Sequence, residues 1–115
     1  MEPKELTELA NRLHVALTYE LASKLKVEDA VGEAELARVS ALTAALVEGK
    51  IDGKNASARS LQEAQVLIVN EVYQDTLASV RRAKEAAGED EIVRRHTEAR
   101  ISLVRAWLYA QRPAL

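Results

Sequence analysis

Cysteine and phenylalanine are both absent, and the chain holds only four glycines and two prolines in 115 residues. Without cysteine there is no disulfide, no thiolate metal site and no cysteine nucleophile, a usage that fits a reducing, cytoplasmic setting. One tryptophan and three tyrosines supply all the aromatic area, too little for a nucleic-acid surface built on base stacking. Long apolar runs are missing too: no window of about 18 residues is free of charge, so no membrane-spanning helix is expected. The opening Met-Glu-Pro-Lys-Glu-Leu has neither the basic region nor the apolar stretch of an export signal.

What is present favours helix. Apolar residues make up 48% and charged residues 30%, with a net charge of −2, the balance of a globular or coiled-coil helical protein rather than of a disordered tail. The length suits one helical domain over residues 1–115. Ala, Leu, Glu, Lys, Arg and Gln dominate throughout, so helix propensity is high almost everywhere. Acids prevail over residues 1–54 (ten against seven bases) and bases over residues 78–115 (eight against five acids). Helix faces paired with each other account for such a mild asymmetry.

Turn-forming residues divide the chain into four expected helical segments that close as an antiparallel bundle, with chain-swapped or dimeric packing as the variant. The first runs from Pro3 to about Lys24, proline suiting the first turn and Leu6, Leu9, Leu13, Leu17, Leu21 and Leu25 following at helical spacing. Gly32 interrupts the next, which ends at Gly49. The third opens after Asp52-Gly53-Lys54, with Asn55 or Ser57 as N-cap or the capping box Ser60-Leu61-Gln62-Glu63 one turn later, and reaches Ala87. Acids at Glu89, Asp90 and Glu91 start the fourth, and Pro113 closes it after Gln111. Val66-Leu67-Ile68-Val69 has strand-forming composition, but its flanks contain no turn residue, so it reads as helix.

Periodicity assigns the faces. In the fourth segment Ile92, His96, Ala99, Leu103, Ala106 and Ala110 alternate in steps of four and three, widened by Val93, Val104 and Trp107. The second carries two stripes, Ala30, Ala34, Ala37, Ala41 and Ala44 on one side and Val31, Val39, Leu42 and Leu46 on another. If the chain covers the larger residues itself, the alanine stripe is left for self-association, most simply a two-fold homodimer with close helix contacts. Arg100 lies among apolar positions and therefore needs an acid, Glu20 first and Glu71 second, or an escape to solvent over Trp107.

Catalytic chemistry finds no constellation. His14 and His96 fall in no compact ligand spacing. Glu5 with Glu8, and Glu71 with Asp75, resemble the magnesium-binding acids of all-α nucleotide pyrophosphohydrolases, but the Glu71 to Asp75 step is four rather than three. The serines show no nucleophile elbow. Gly49 and Gly53 with Lys54 fall short of a phosphate loop, leaving at most an anion at a helix N-terminus. The expectation is a protein with no enzymatic activity, catalytic residue, cofactor or metal site. A nucleic-acid accessory role, of the recombination or CRISPR-effector small-subunit kind, would rest on Arg81, Arg82, Arg94, Arg95, Arg105 and Arg112.

The stretch Gly53-Lys54-Asn55-Ala56, with Arg59 three residues after the alanine, opens a long helix followed by an arginine-rich one. Over residues 51–110 this resembles small helical bacteriophage proteins. The resemblance implies a phage origin and, by analogy, action through binding a host or phage macromolecule, with a protein partner expected and nucleic acid the alternative.

Overall fold

A computed structural model describes residues 3–112. Among them are three α-helices and no strand: α1, Pro3–Val47; α2, Ala56–Val69; and α3, Glu71–Ala110. The chain is all-α, as its composition predicts, but the four expected segments become three helices, which share with the expectation only the break between Gly49 and Asn55. Gly32 and Gly88 do not break a helix. Each costs only about 1 kcal/mol in a helix interior, and neither stands beside proline or a cluster of turn residues. The expected break between Gly49 and Asn55 is kept, and a further one falls at Asn70, inside the expected third segment, where it rests on capping chemistry rather than glycine chemistry.

α1 runs for 45 residues because one heptad stripe persists along it. Leu6, Leu9, Leu13, Ala16, Glu20 and Ser23 are buried or half-buried, and Val27, Ala30, Ala34, Ala37 and Ala41 continue the alternation of three and four without a slip. This line departs from the leucine stripe at Ala16, so that Leu17, Leu21 and Leu25 point outward.

The helix ends in a Schellman motif, in which Gly49 N–H donates to Leu46 O and Lys50 N–H to Ala45 O. Gly49 makes this possible with φ of 78°. Asn55 then caps α2, its Oδ1 accepting the Ala58 N–H at 2.8 Å. Gln62 ties the loop to α2: its Oε1 accepts the N–H groups of Asp52 and Gly53 while its Nε2 donates to Asp52 Oδ1. Val66 to Val69 is helix, as its flanks predict.

Asn70 ends one helix and starts the next. Its N–H donates to Leu67 O, and its Oδ1 accepts the Tyr73 N–H at 2.9 Å as the N-cap of α3. Gln74 Nε2 takes Leu67 O as well.

Packing divides the chain into two compact units. The terminal unit joins α1 up to Leu25 with the chain from Lys84 on, and its apolar core is Leu9, Ile101 and Val104 flanked by Leu6, Leu13 and Leu108. The middle unit, Lys26–Ala83, buries Ala34, Ala41, Ala45 and Ile51.

Two glycines make opposite predictions. A Cβ on Gly53 would stand 2.8 Å from both Ala58 Cβ and the Arg59 backbone nitrogen, and backbone cannot step aside as a side chain tip can. Gly53→Ala therefore destabilises by about 1–3 kcal/mol. A Cβ on Gly88 meets nothing within 4 Å, so Gly88→Ala stabilises by about 0.5–1 kcal/mol. Urea unfolding midpoints moving in opposite directions check both.

Candidate functional site

In the terminal unit the helices meet through a polar ladder as much as through apolar contact. Asp90, Arg94, Thr97, Ile101, Val104 and Leu108 lie on one heptad stripe of α3, all buried or half-buried. Opposite them, Ser23 Oγ donates to Asp90 Oδ2, and Arg94 Nε donates to Glu20 Oε2 at 2.5 Å. The Glu20 side chain is 5% exposed and that of Arg94 21%. Lys24 adds a second cation at 3.1 Å from Glu20 Oε1, and Arg94 Nη1 reaches Glu98 at 3.0 Å.

The hydrogen bond from Arg94 holds the Glu20 carboxyl below its usual range, against the desolvation that would raise it. Arg94 is correspondingly raised, first by Glu20 and then by Glu98.

This ladder corrects the expected partner of Arg100. Glu20 is taken by Arg94, and Arg100 is exposed, beside Glu5, Glu8 and Arg12 at the rim of a shallow groove. The reason is helix phase: Arg94 lies on the Ile101 side of α3, whereas Arg100 lies on the Trp107 side.

The same phase turns the expected apolar stripe outward. Ile92, His96, Ala99, Leu103, Ala106 and Ala110 are all exposed, Leu103 by 71%. They repeat the four-three spacing of the inner stripe two residues out of step, about 200° around the helix.

In the middle unit the alanine stripe faces inward. Ala34 and Ala41 are buried, Ala30 and Ala37 half-buried, and only Ala44 is exposed. Of the larger face, Val31, Val39 and Leu46 are outside and Leu42 is half-buried. The two faces thus take the roles opposite to those expected, because alanine lets α1 sit close to its neighbours within the unit and the bulkier face is left over. Leu36, between Val39 and Gly32 on that outer side, is 73% exposed.

The six arginines do not act alike. Arg94 is engaged in the ladder, Arg95 pairs with Glu91 at 2.7 Å, and Arg82 donates to Ser79. Arg112 stands 5.8 Å over the Tyr109 ring, while Arg81 and Arg105 are exposed. Around Gly53, where the sequence suggested an anion at a helix N-terminus, the Asp52, Gly53 and Ala58 amides donate within the chain.

Among the described residues no cluster of three or more His, Asp or Glu could hold a metal ion, and no helix is long and apolar enough to cross a membrane. No family model, curated protein or solved structure matches the chain.

The residues that sequence reasoning missed are Asn70 and Arg94, the latter as the cation that Glu20 pairs with. Asn70 could have been found as an Asn followed by an acid at the first helical position. Arg94 could not, because it shares with Arg105 and Arg112 a side of its helix that looks wet when the helix is read alone.

Because the Glu20 carboxyl titrates lower in the folded chain, its contribution is complete above the ordinary value of 4.5 and disappears as pH falls through the lowered one. Glu20→Gln therefore melts at a lower temperature than wild type at pH 7, and the gap closes as the pH is taken below 4.5. Circular-dichroism melts of both proteins across that range check it.

Proposed function

We propose that this chain is a non-enzymatic helical interaction protein, phage-encoded, which works as an assembly of its own copies and in that form binds a host or phage macromolecule. The observation that carries this reading is the amount of apolar helix surface that each unit leaves open. In the terminal unit two helices run side by side, and two helices bury only the one seam between them. Leu17, Leu21, Ile92, Val93 and Leu103 remain exposed. In the middle unit Leu36, Leu46, Val47, Leu61, Ile68 and Val69 do the same. Monomers seldom leave so many large apolar side chains in runs along one helix, and such runs mark protein contacts. Stacking two helix pairs into a four-helix layer is the ordinary way to cover them.

A homodimer is the simplest assembly of this kind, since one patch then serves both copies. The test is mass by light scattering at tens of micromolar, where the expected value is twice the 12.7 kDa of one chain. A thermal midpoint that rises with concentration accompanies it. A single-chain mass at that concentration, or saturable metal-dependent turnover on a panel of nucleotides, would overturn the reading.

A further inference from the structure

The outward stripes of α1 and α3 match each other. On α1, Asp29, Gly32, Leu36, Val39, Thr43 and Leu46 are all exposed and alternate in steps of three and four. Glu28 and Glu33 flank this seam, both exposed. On α3, the exposed seam from Ile92 to Ala110 has the same spacing and is flanked by Arg95 and Arg100. One seam is edged with acid, the other with arginine.

We infer that the α1 seam is the docking site for the α3 seam of a second copy, with the two helices parallel. The inference rests on the self-association proposed above and names the surfaces that carry it. Setting Leu36 opposite the second copy's Leu103 fixes every other layer. Asp29 then faces His96, Gly32 faces Ala99, Val39 faces Ala106 and Thr43 faces Ala110. Large meets large at one layer, small meets small at another, and the one polar layer pairs an acid with an imidazole, a device that fixes register in coiled coils.

In a parallel pair the residue before each core position faces the flank five residues further along the partner. That places Glu28 opposite Arg100 and Glu33 opposite Arg95. Pairing α3 with α3 in parallel would instead set Arg95 against Arg100, and like charges there are unfavourable. Arg95 reaches Glu91 within its own helix, yet its side chain stays 69% exposed and free to turn to a second acid.

Two charge-swapped proteins test this in mixture. Arg95→Glu with Arg100→Glu makes both flanks of its pairing acidic; Glu28→Lys with Glu33→Lys makes both basic. Each alone should dimerise about tenfold or more weakly than wild type, and an equimolar mixture should recover the dimer. Arg100→Glu alone, which spares the Arg95–Glu91 pair, should weaken it in the same direction. Because the chain has no cysteine, Leu36→Cys mixed with Leu103→Cys should give a disulfide joining one chain of each kind on mild oxidation. A wild-type monomer would overturn the self-association itself. A wild-type dimer with both swapped proteins still dimeric, a mixture that stays monomeric, or disulfides only between like chains, would overturn the pairing of these seams and leave self-association standing.

Discussion

Glu20 and Ser23 are the buried polar side chains among the described residues, and both are bonded to α3. A carboxylate so far out of water is costly unless matched by a cation and hydrogen bonds, and Arg94 with Lys24 supplies them. That requirement sets the rotation of α3. Once Arg94 and Asp90 must face α1, Ile101, Val104 and Leu108 follow on the same stripe, and the more apolar line of Ile92, Leu103 and Ala106 is carried to the far side. An apolar residue in place of Arg94 would remove the reason for this orientation.

From that rotation comes the character of the molecule. Among the described residues the buried apolar ones are few and half of them are alanine, namely Ala16, Ala34, Ala41 and Ala45 beside Leu9, Ile51, Ile101 and Val104. Burial of alanine yields little per residue compared with leucine or isoleucine. The bulky residues that could yield more, Leu36, Leu46, Ile68 and Leu103 among them, are outside. In the proposed assembly a second chain laid over them would supply the missing burial, so that folding and assembly would draw on the same side chains.

Helical content, the end at Gly49 and the cap at Asn55 could be read from sequence because each rests on local chemistry: propensity, a left-handed glycine, a side-chain acceptor three residues before an amide. The division into helices was less legible. Glycine at positions 32 and 88 looks like punctuation, but a long helix held by an unbroken heptad stripe absorbs the cost, while Asn70 looks like an ordinary polar position until its caps are seen. Faces were legible as stripes and not as directions. Periodicity found Ala30 to Ala44 and Ile92 to Ala110, yet it cannot say whether a stripe is covered by its own chain or by another. The sequence reading left the alanines for a second copy by supposing that the chain covers Val31 and Leu46 first, whereas Ala34 and Ala41 are buried within the chain. Close helix approach reverses that order.

The single tryptophan gives the most direct view of whether a second copy covers these faces. Trp107 flanks the outward seam of α3 and is 45% exposed in the lone chain. Acrylamide quenching of its emission, followed from nanomolar to tens of micromolar protein, should fall as the chains associate, with the emission maximum moving to shorter wavelength. Quenching and emission that stay constant while the mass doubles would contradict the account, because the dimer would then form with the α3 seam still in water.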